Sequence, residues 1–334
     1  MVEMIAALGL TPEQVEGVLR SASLAPSVHN SQPWRFLVRP DRIELHPDRD
    51  YRLSAIDPDG HELRLACGAA LFNLRVALQA CGVRPLVTVL PGKDAPDALA
   101  TVRRGGVFTP DDETRTLLRA IPARRTNRRP FFESGVDARH RYALVRAAEL
   151  ERSWLHVVGS PDDVARLKKL VRKAHQIQQE DPGLMAELAA VTGHRPGATD
   201  GIPPASAGFS PEAQDEWAFR DFHPGQNHER PRGKDYESNP LVAVVCSHYT
   251  GALGELQAGQ AMERVLLTAT TLGLSASFMS QPIEVAPVRD ELRRELGGTL
   301  VPQTVLRIGF GSPVPATPRR PVAELLLEPT NTAN

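Results

Sequence analysis

The sequence predicts an α+β sandwich made of two related modules in one chain, and three observations carry that expectation. Helix-length and strand-length apolar patterns alternate, and no run approaches the length of a membrane span. GAALFNLRVALQACGV (Gly68 to Val83) matches GQAMERVLLTATTLGL (Gly259 to Leu274) in its leading Gly-x-Ala, its apolar positions and its closing Gly-apolar pair. VLRSASL (Val18 to Leu24) likewise matches LVRAAEL (Leu144 to Leu150), and each leads to a strand, WRFLV or WLHVV. The copies keep their order but not a fixed period, which reads as a worn duplication rather than a tandem array.

The elements follow in turn. Thr11 can cap a first helix, with Pro12 at its first position and Gln14 completing a capping-box spacing; Val15, Val18, Leu19 and Ala22 mark its buried face. RFLV (Arg35 to Val38) and RIEL (Arg42 to Leu45) are strands across a Pro40-Asp41 turn. A long helix runs from about His61 to Cys81, with Gly82 as its C′ residue. Its apolar stripe is almost unbroken by charge, which predicts a central helix buried by more than one sheet.

Strands are expected near Leu86–Leu90 and Val102–Phe108, then a helix opened by Thr109-Pro110. Further helices are expected around Asp137–Leu150 and Pro161–Glu180, with WLHVV (Trp154 to Val158) as a strand between them. From about Val191 to Pro240 the regular pattern fails; Trp217, Phe219 and Phe222 suggest a lid that packs on something. LVAVVC (Leu241 to Cys246), a helix from about Glu255 to Leu272 and QTVLRIG (Gln303 to Gly309) complete the pattern before the tail SPVPATPRRP.

Composition excludes several classes. Of 334 residues 41% are apolar and 24% charged, ordinary for a globular protein. Thirty-nine basic side chains against 40 acidic ones leave a net charge of −1, which points to neither nucleic acid nor an anionic membrane. The opening MVEMIAALGL lacks a basic leader and is too short for a signal peptide. Cys67, Cys81 and Cys246 form no CxxC pair and are odd in number, so a reducing cytoplasm is expected. Cys67 and Cys81 fall on the apolar stripe of one helix, as buried packing thiols would.

The two copies differ where chemistry would sit. APSVHNSQP separates helix from strand in the first, whereas only Glu151-Arg152-Ser153 does so in the second. RRTNRRPF (Arg124 to Phe131) precedes the second copy, and the first has no such arginine pair. Arginine forks suit phosphate oxygens, with Thr126 and Asn127 adding neutral donors, and PRRP (Pro318 to Pro321) offers a second basic pair. Pro26 and Pro33 would hold backbone amides beside Ser27, His29, Asn30 and Gln32, a set suited to the edge of a planar heteroaromatic ring. Either stretch alone reads equally as a solvated face or an ordinary turn. GxGxxG, GxxxxGK[ST] and GxSxG are all absent, and His223 and His228 lack HExxH spacing, so no metal ligand is expected.

Together these residues resemble the flavin-dependent nitroreductase family. LTPEQVEGVLRSASLAPSVHNSQPWRFLV is similar to that family's helix, P-S-x-x-N-x-Q-P-W motif and following strand. ALFNLRVALQACG and RVLLTATTLGLSASFMSQPIE resemble its long central helix, RRTNRRPF its R-R-S-x-R motif, and LRIGFG with PRRP its last strand and basic carboxy-terminal element. The fold implied is nitroreductase-like, with central antiparallel sheets and long buried helices. Members of that family are homodimers that hold FMN at the subunit interface. A fused pseudo-dimer, with residues 1–120 as the first half and 121–334 as the second, would complete one such site and leave its mate defective. This arrangement resembles the Acg-type branch, with the 191–240 insertion as lid.

Carried over residue by residue, the resemblance implies that Arg124, Arg125, Thr126 and Arg128 hold the FMN phosphate and ribityl chain, assisted by Arg319 and Arg320. Ser27, His29, Asn30 and Gln32 would meet the ring edge, with Trp34 and Arg35 behind them. Met279, Ser280 and Gln281 would approach its reactive side, and no side chain need act as acid or base because the flavin carries the chemistry. Two functions follow. One is an oxidoreductase passing hydride from NAD(P)H to a nitroaromatic or quinone-like acceptor; the other is an FMN-binding or FMN-sequestering protein whose lid bars turnover. A monomer is expected, since fusion already supplies the interface.

Overall fold

The computed structural model describes residues 3–193, 195–212, 215–217, 219–222 and 240–328. Helix α1 (Pro12–Ser23) starts where its capping box dictates: the Thr11 hydroxyl accepts from Gln14 N–H and the Gln14 side chain accepts from Thr11 N–H. Such a cap is worth ~1 kcal/mol. Strands β1 (Trp34–Arg39) and β2 (Arg42–Pro47) follow, then α2 (His61–Ala80), β3 (Val83–Val89) and β4 (Ala100–Val107). Helices α3 (Asp112–Ala123) and α4 (Ala138–Leu150) lead to β5 (Trp154–Val158), α5 (Pro161–Gln179) and α6 (Pro182–Ala190). After the insertion come β6 (Leu241–Ser247), α7 (Gly251–Thr271), β7 (Ser275–Phe278), the single turn α8 (Gln281–Glu284), α9 (Ala286–Glu295) and β8 (Val301–Gly309).

The strands form two antiparallel four-stranded sheets, ordered β1-β2-β4-β3 and β5-β6-β8-β7. Counted from the first strand of each sheet, the two orders are the same. The class is therefore α+β, as the sequence predicts. Between the sheets α2 and α7 make the most extensive helix–helix contact in the molecule. Both are buried on nearly all sides, which explains why the α2 stripe reads as apolar almost all round. At their crossing Gly68 faces Gly259, and a Cβ on either would lie 2.9 Å from the other's Cα. These are the leading glycines of the two matched sequences. Their missing side chains let the backbones touch.

Several boundaries differ from the pattern reading. Helix α3 is opened not by Thr109-Pro110 but by Asp111, whose carboxylate accepts from Thr114 N–H at 2.7 Å. Helix α7 begins at Gly251, four residues before the apolar spacing does. Gly254 is needed in that first turn, because a Cβ there would come within 2.7 Å of the Tyr249 carbonyl carbon. Helix α6 goes unforeseen although Asp181 caps it and Pro182 opens it; nine residues give too little periodicity to detect. Strand β7 is too short to stand out, and α8 and α9 are interrupted by Val285. Strand β3 starts earlier, at Val83. Cys81, expected to be buried, is the exposed C-cap of α2, because the stripe turns outward as the helix ends. Cys67 and Cys246 are buried free thiols. Among the described residues no helix is long and apolar enough to cross a membrane.

Candidate functional site

The junction Ala25–Pro33 is backbone under constraint. His29, Asn30 and Gln32 have φ of 49°, 58° and 52°, left-handed values that cost non-glycine residues ~1–3 kcal/mol each. The surrounding structure must hold them, and a crossing arm does so. Asn30 donates to the Pro318 carbonyl (3.1 Å) and accepts from Arg319 (2.8 Å), while Gln32 Oε1 accepts from Arg320 N–H (2.8 Å). Ser27 Oγ accepts from Gln32 N–H at 2.9 Å. The arm that follows the second sheet thus fastens the first module's junction, and the contact between Phe36 and Leu326 continues it along the edge of β1.

Two neighbouring cavities share Pro26, Ser27, Thr126 and Arg128 in their walls. The smaller, about 670 Å³, is cationic: Arg124, Arg125, Arg128 and Arg319 line it together with Asn30 and Thr317, and among the described residues no carboxylate does. Arg124 is buried, its Nε and Nη1 make no hydrogen bond among the described residues, and its ion pair to Glu263 is long at 3.8 Å. Burial and then repulsion from Arg124 and Arg125 push the Arg319 guanidinium down to about 9, even though Glu263 opposes this. Burial pushes Arg128 down to about 10, with Arg220 adding repulsion. Cations crowded and desolvated in this way bind an anion readily, because it would restore what burial removes.

The larger cavity, about 1190 Å³, is mostly apolar. Leu65, Ala66 and Met262 of the two crossing helices form one wall, Phe209, Trp217, Phe219 and Phe222 another. Ser277, Met279, Ser280 and Gln281 approach from the β7–α8 turn. Arg307 of β8 lies over the rings of Phe131 and Phe219, 4.3 and 4.9 Å from their centroids. Arg220 of the insertion pairs with Glu284 at 2.5 Å, donates to Gln178 at 2.7 Å and reaches His29 Nε2 at 3.2 Å. Since arginine only donates, His29 Nε2 is the acceptor and Nδ1 carries the proton. Burial, Arg220 and Arg128 hold the His29 pKa well below the usual imidazole range, so the ring is neutral.

The structure therefore brings Ser27, His29, Asn30, Arg124, Arg125, Thr126, Arg128, Met279, Ser280, Gln281 and Arg319 to the two cavities. It does not bring Gln32, Trp34, Arg35 or Arg320 to their walls. Gln32 is spent on the arm and on the Thr199 carbonyl (2.8 Å), and Trp34 lies in the core. Arg35 and Arg320 converge on Asp48, at 2.9 and 3.0 Å, and Arg320 stacks on Tyr51. Composition of the arginine pair could not tell its two members apart; only the Asp48 partner does.

Glu62, Asp215, Glu216, Arg220 and Arg307 are charged residues of the larger cavity's wall that pattern reading misses, as it does the buried Glu263 beside Arg124. His223 and His228 lie outside the described residues, and no group of three metal-binding side chains occurs among those described.

A fold of paired antiparallel sheets about two crossed helices, with a cationic recess beside an aromatic chamber, offers walls that suit a ligand with an anionic end and a planar body. Comparison with known proteins narrows that class. The chain is 34% identical over 328 residues to "Putative NAD(P)H nitroreductase Rv3131" of Mycobacterium tuberculosis H37Rv, covering 94% of this chain and 91% of that one. It is 30% identical over 328 residues to "Putative NAD(P)H nitroreductase acg" of the same strain, covering 95% and 96%. The chain belongs to the nitroreductase family, in its Acg-like branch. No family model matches it. A crystal structure of a nitroreductase with bound FMN from Bacteroides fragilis aligns with 65% of this chain and 97% of its own at 14% identity, with a TM-score of 0.38. A superposition that loose transfers no residue role.

Proposed function

We propose that the protein is an FMN-dependent oxidoreductase that takes hydride from NAD(P)H and passes it to a nitroaromatic or quinone-like acceptor. The observation that carries this reading is that the arginine recess and the aromatic chamber are neighbours that share Pro26, Ser27, Thr126 and Arg128 in their walls. The recess fits a phosphate, because Arg124 has two buried N–H groups in need of an acceptor. Arg124, Arg125 and Arg319 would hold the phosphate, Thr126 and Arg128 the ribityl chain, and Ser27, His29, Met279, Ser280 and Gln281 the ring. Bound there, the flavin would supply reversible two-electron chemistry. The chain's own task is to orient and enclose: neutral His29 adds no charge beside the ring, and Trp217, Phe219 and Phe222 exclude water. On this reading residues 1–120 and 121–334 are two halves of a monomeric pseudo-dimer, working in the cytoplasm and sharing one cofactor.

A second reading, FMN binding without turnover, is favoured by one contact. Arg220 ties the insertion to Glu284, Gln178 and His29 over the chamber where a nicotinamide would have to stack. The visible spectrum of the purified protein and anaerobic mixing separate the readings. A flavin band bleached by NADH or NADPH is expected. Colour that yields only to dithionite supports sequestration, and a colourless protein that takes up no FMN overturns both. If the Arg220 tie limits access, Arg220→Ala bleaches faster than wild type with the same bound FMN.

A further inference from the structure

Glu62 is a carboxyl in the wall of the larger cavity that the reading above leaves without a task. It stands in the first turn of α2, where Asp57 holds the backbone by accepting from Glu62 N–H (3.0 Å) and Leu63 N–H (2.9 Å). The side chain is 93% buried, and among the described residues its Oε1 has no hydrogen-bond partner. A helix N-terminus ordinarily favours an ionised acid. Burial acts the other way here and is the larger effect, raising the pKa to about 8; Glu284 and Asp57 add to the rise, while His61 and Arg220 oppose it. Arg220 has already committed its fork to Glu284 and Gln178, so it gives Glu62 no close counter-ion. At neutral pH the cavity wall therefore contains a carboxylic acid with a proton to donate.

We propose that Glu62 is the proton donor of this cavity: it hydrogen-bonds a carbonyl or nitro oxygen of the acceptor and supplies the proton that hydride transfer leaves outstanding. The inference rests on the oxidoreductase reading for its chemistry but not for its binding prediction. For a quinone the balance is simple. Hydride adds to the quinone to give the hydroquinone monoanion, the Glu62 O–H bond breaks as a new O–H bond forms, and hydroquinone leaves with Glu62 ionised. Water restores the proton afterwards. A carboxylate in the same place would repel the developing oxyanion, so both binding and transfer require the acid form.

The test uses the purified protein without reductant and duroquinone as probe, its four methyl groups preventing addition to thiols. Binding is expected to weaken about tenfold between pH 7 and pH 9, as the competent acid fraction falls. In Glu62→Gln, whose amide still donates, duroquinone binds with little dependence on pH, and the infrared band of one protonated carboxyl disappears. Glu62→Asp keeps the pH dependence with weaker binding, and guards against a fold lost with the glutamine variant. In turnover, Glu62→Gln lowers kcat more than it raises KM. The proposal is overturned if wild type does not bind duroquinone, if its pH profile survives Glu62→Gln, or if no carboxyl band is lost. A protein that shows the binding and infrared signatures yet takes up no flavin would sink the oxidoreductase reading and leave the acid in place.

Discussion

The same position in the two modules, between the first helix and the first strand, has been put to opposite uses. Ala25–Pro33 is a strained loop beside a cavity lined by arginines, of which Arg124 reaches a carboxylate, Glu263, only at 3.8 Å. At Glu151–Ser153 the gap is closed. The Glu151 carboxylate pairs with Arg75 at 2.6 Å and Arg264 at 3.0 Å, Arg264 also meets Glu113, and both arginines lie near the Phe72 ring. By the sequence match of the crossed helices, Phe72 occupies the place that Glu263 takes on the open side. One junction leaves its cations with only a long ion pair to Glu263, and the other neutralises them closely. An empty, charged space can be kept as a site or filled as a core, and this chain does one of each.

The hinge of the comparison is the crossing itself, so the largest effect is expected there. Gly259→Val would force α7 away from α2 and is expected to cost ~3 kcal/mol, the upper part of the range for overpacking. A thermal melt with little change would mean that the halves are not held by this contact. Next come the two junctions. Arg125→Ala removes a cation whose described bonds go only to nearby carbonyls, Pro122 and Arg124. It should weaken FMN about tenfold to a hundredfold in fluorescence titration, as loss of one charged hydrogen bond does, and leave the melting temperature in place. Glu151→Gln should do the reverse, costing ~2 kcal/mol of stability while FMN affinity holds, because Arg75 loses its carboxylate and Arg264 keeps only the exposed Glu113.

The smallest effect is a slope. Burial raises Glu263 from 4.5 to about 7 against the pull of Arg124. The folded chain then keeps a proton that the unfolded chain has lost, so stability falls as pH rises from about 4.5 through about 7, by at most ~1.4 kcal/mol per unit. Glu263→Gln should flatten that decline in melts from pH 5 to pH 8, and an unchanged slope would assign it to another group.

Much of the open junction was legible in the sequence, and the closed one was not. PSVHNSQP announces itself because two prolines and consecutive polar residues are hard to place in a helix or strand. RRTNRR announces itself as charge without an acidic neighbour. Glu151, by contrast, looks like any surface acid, since Arg75 and Arg264 come from helices far along the chain. The same reason divides Arg319 from Arg320. Adjacent in sequence, they point to different partners, and only the position of Asp48 decides which one is structural. Long periodic helices such as α2 were readable from end to end, whereas α8 and β7 have four residues each and carry no period.

The arm that fastens Asn30 also sets an order of events. Asn30 and its partner Arg319 are separated by 289 positions, so while the chain is being made the left-handed loop lacks the arm that fastens it until Arg319 has emerged. Cofactor capture should therefore wait for that arm, and a chain cut just before Pro318 would lose the loop's fastening together with Leu325, a fully buried core residue.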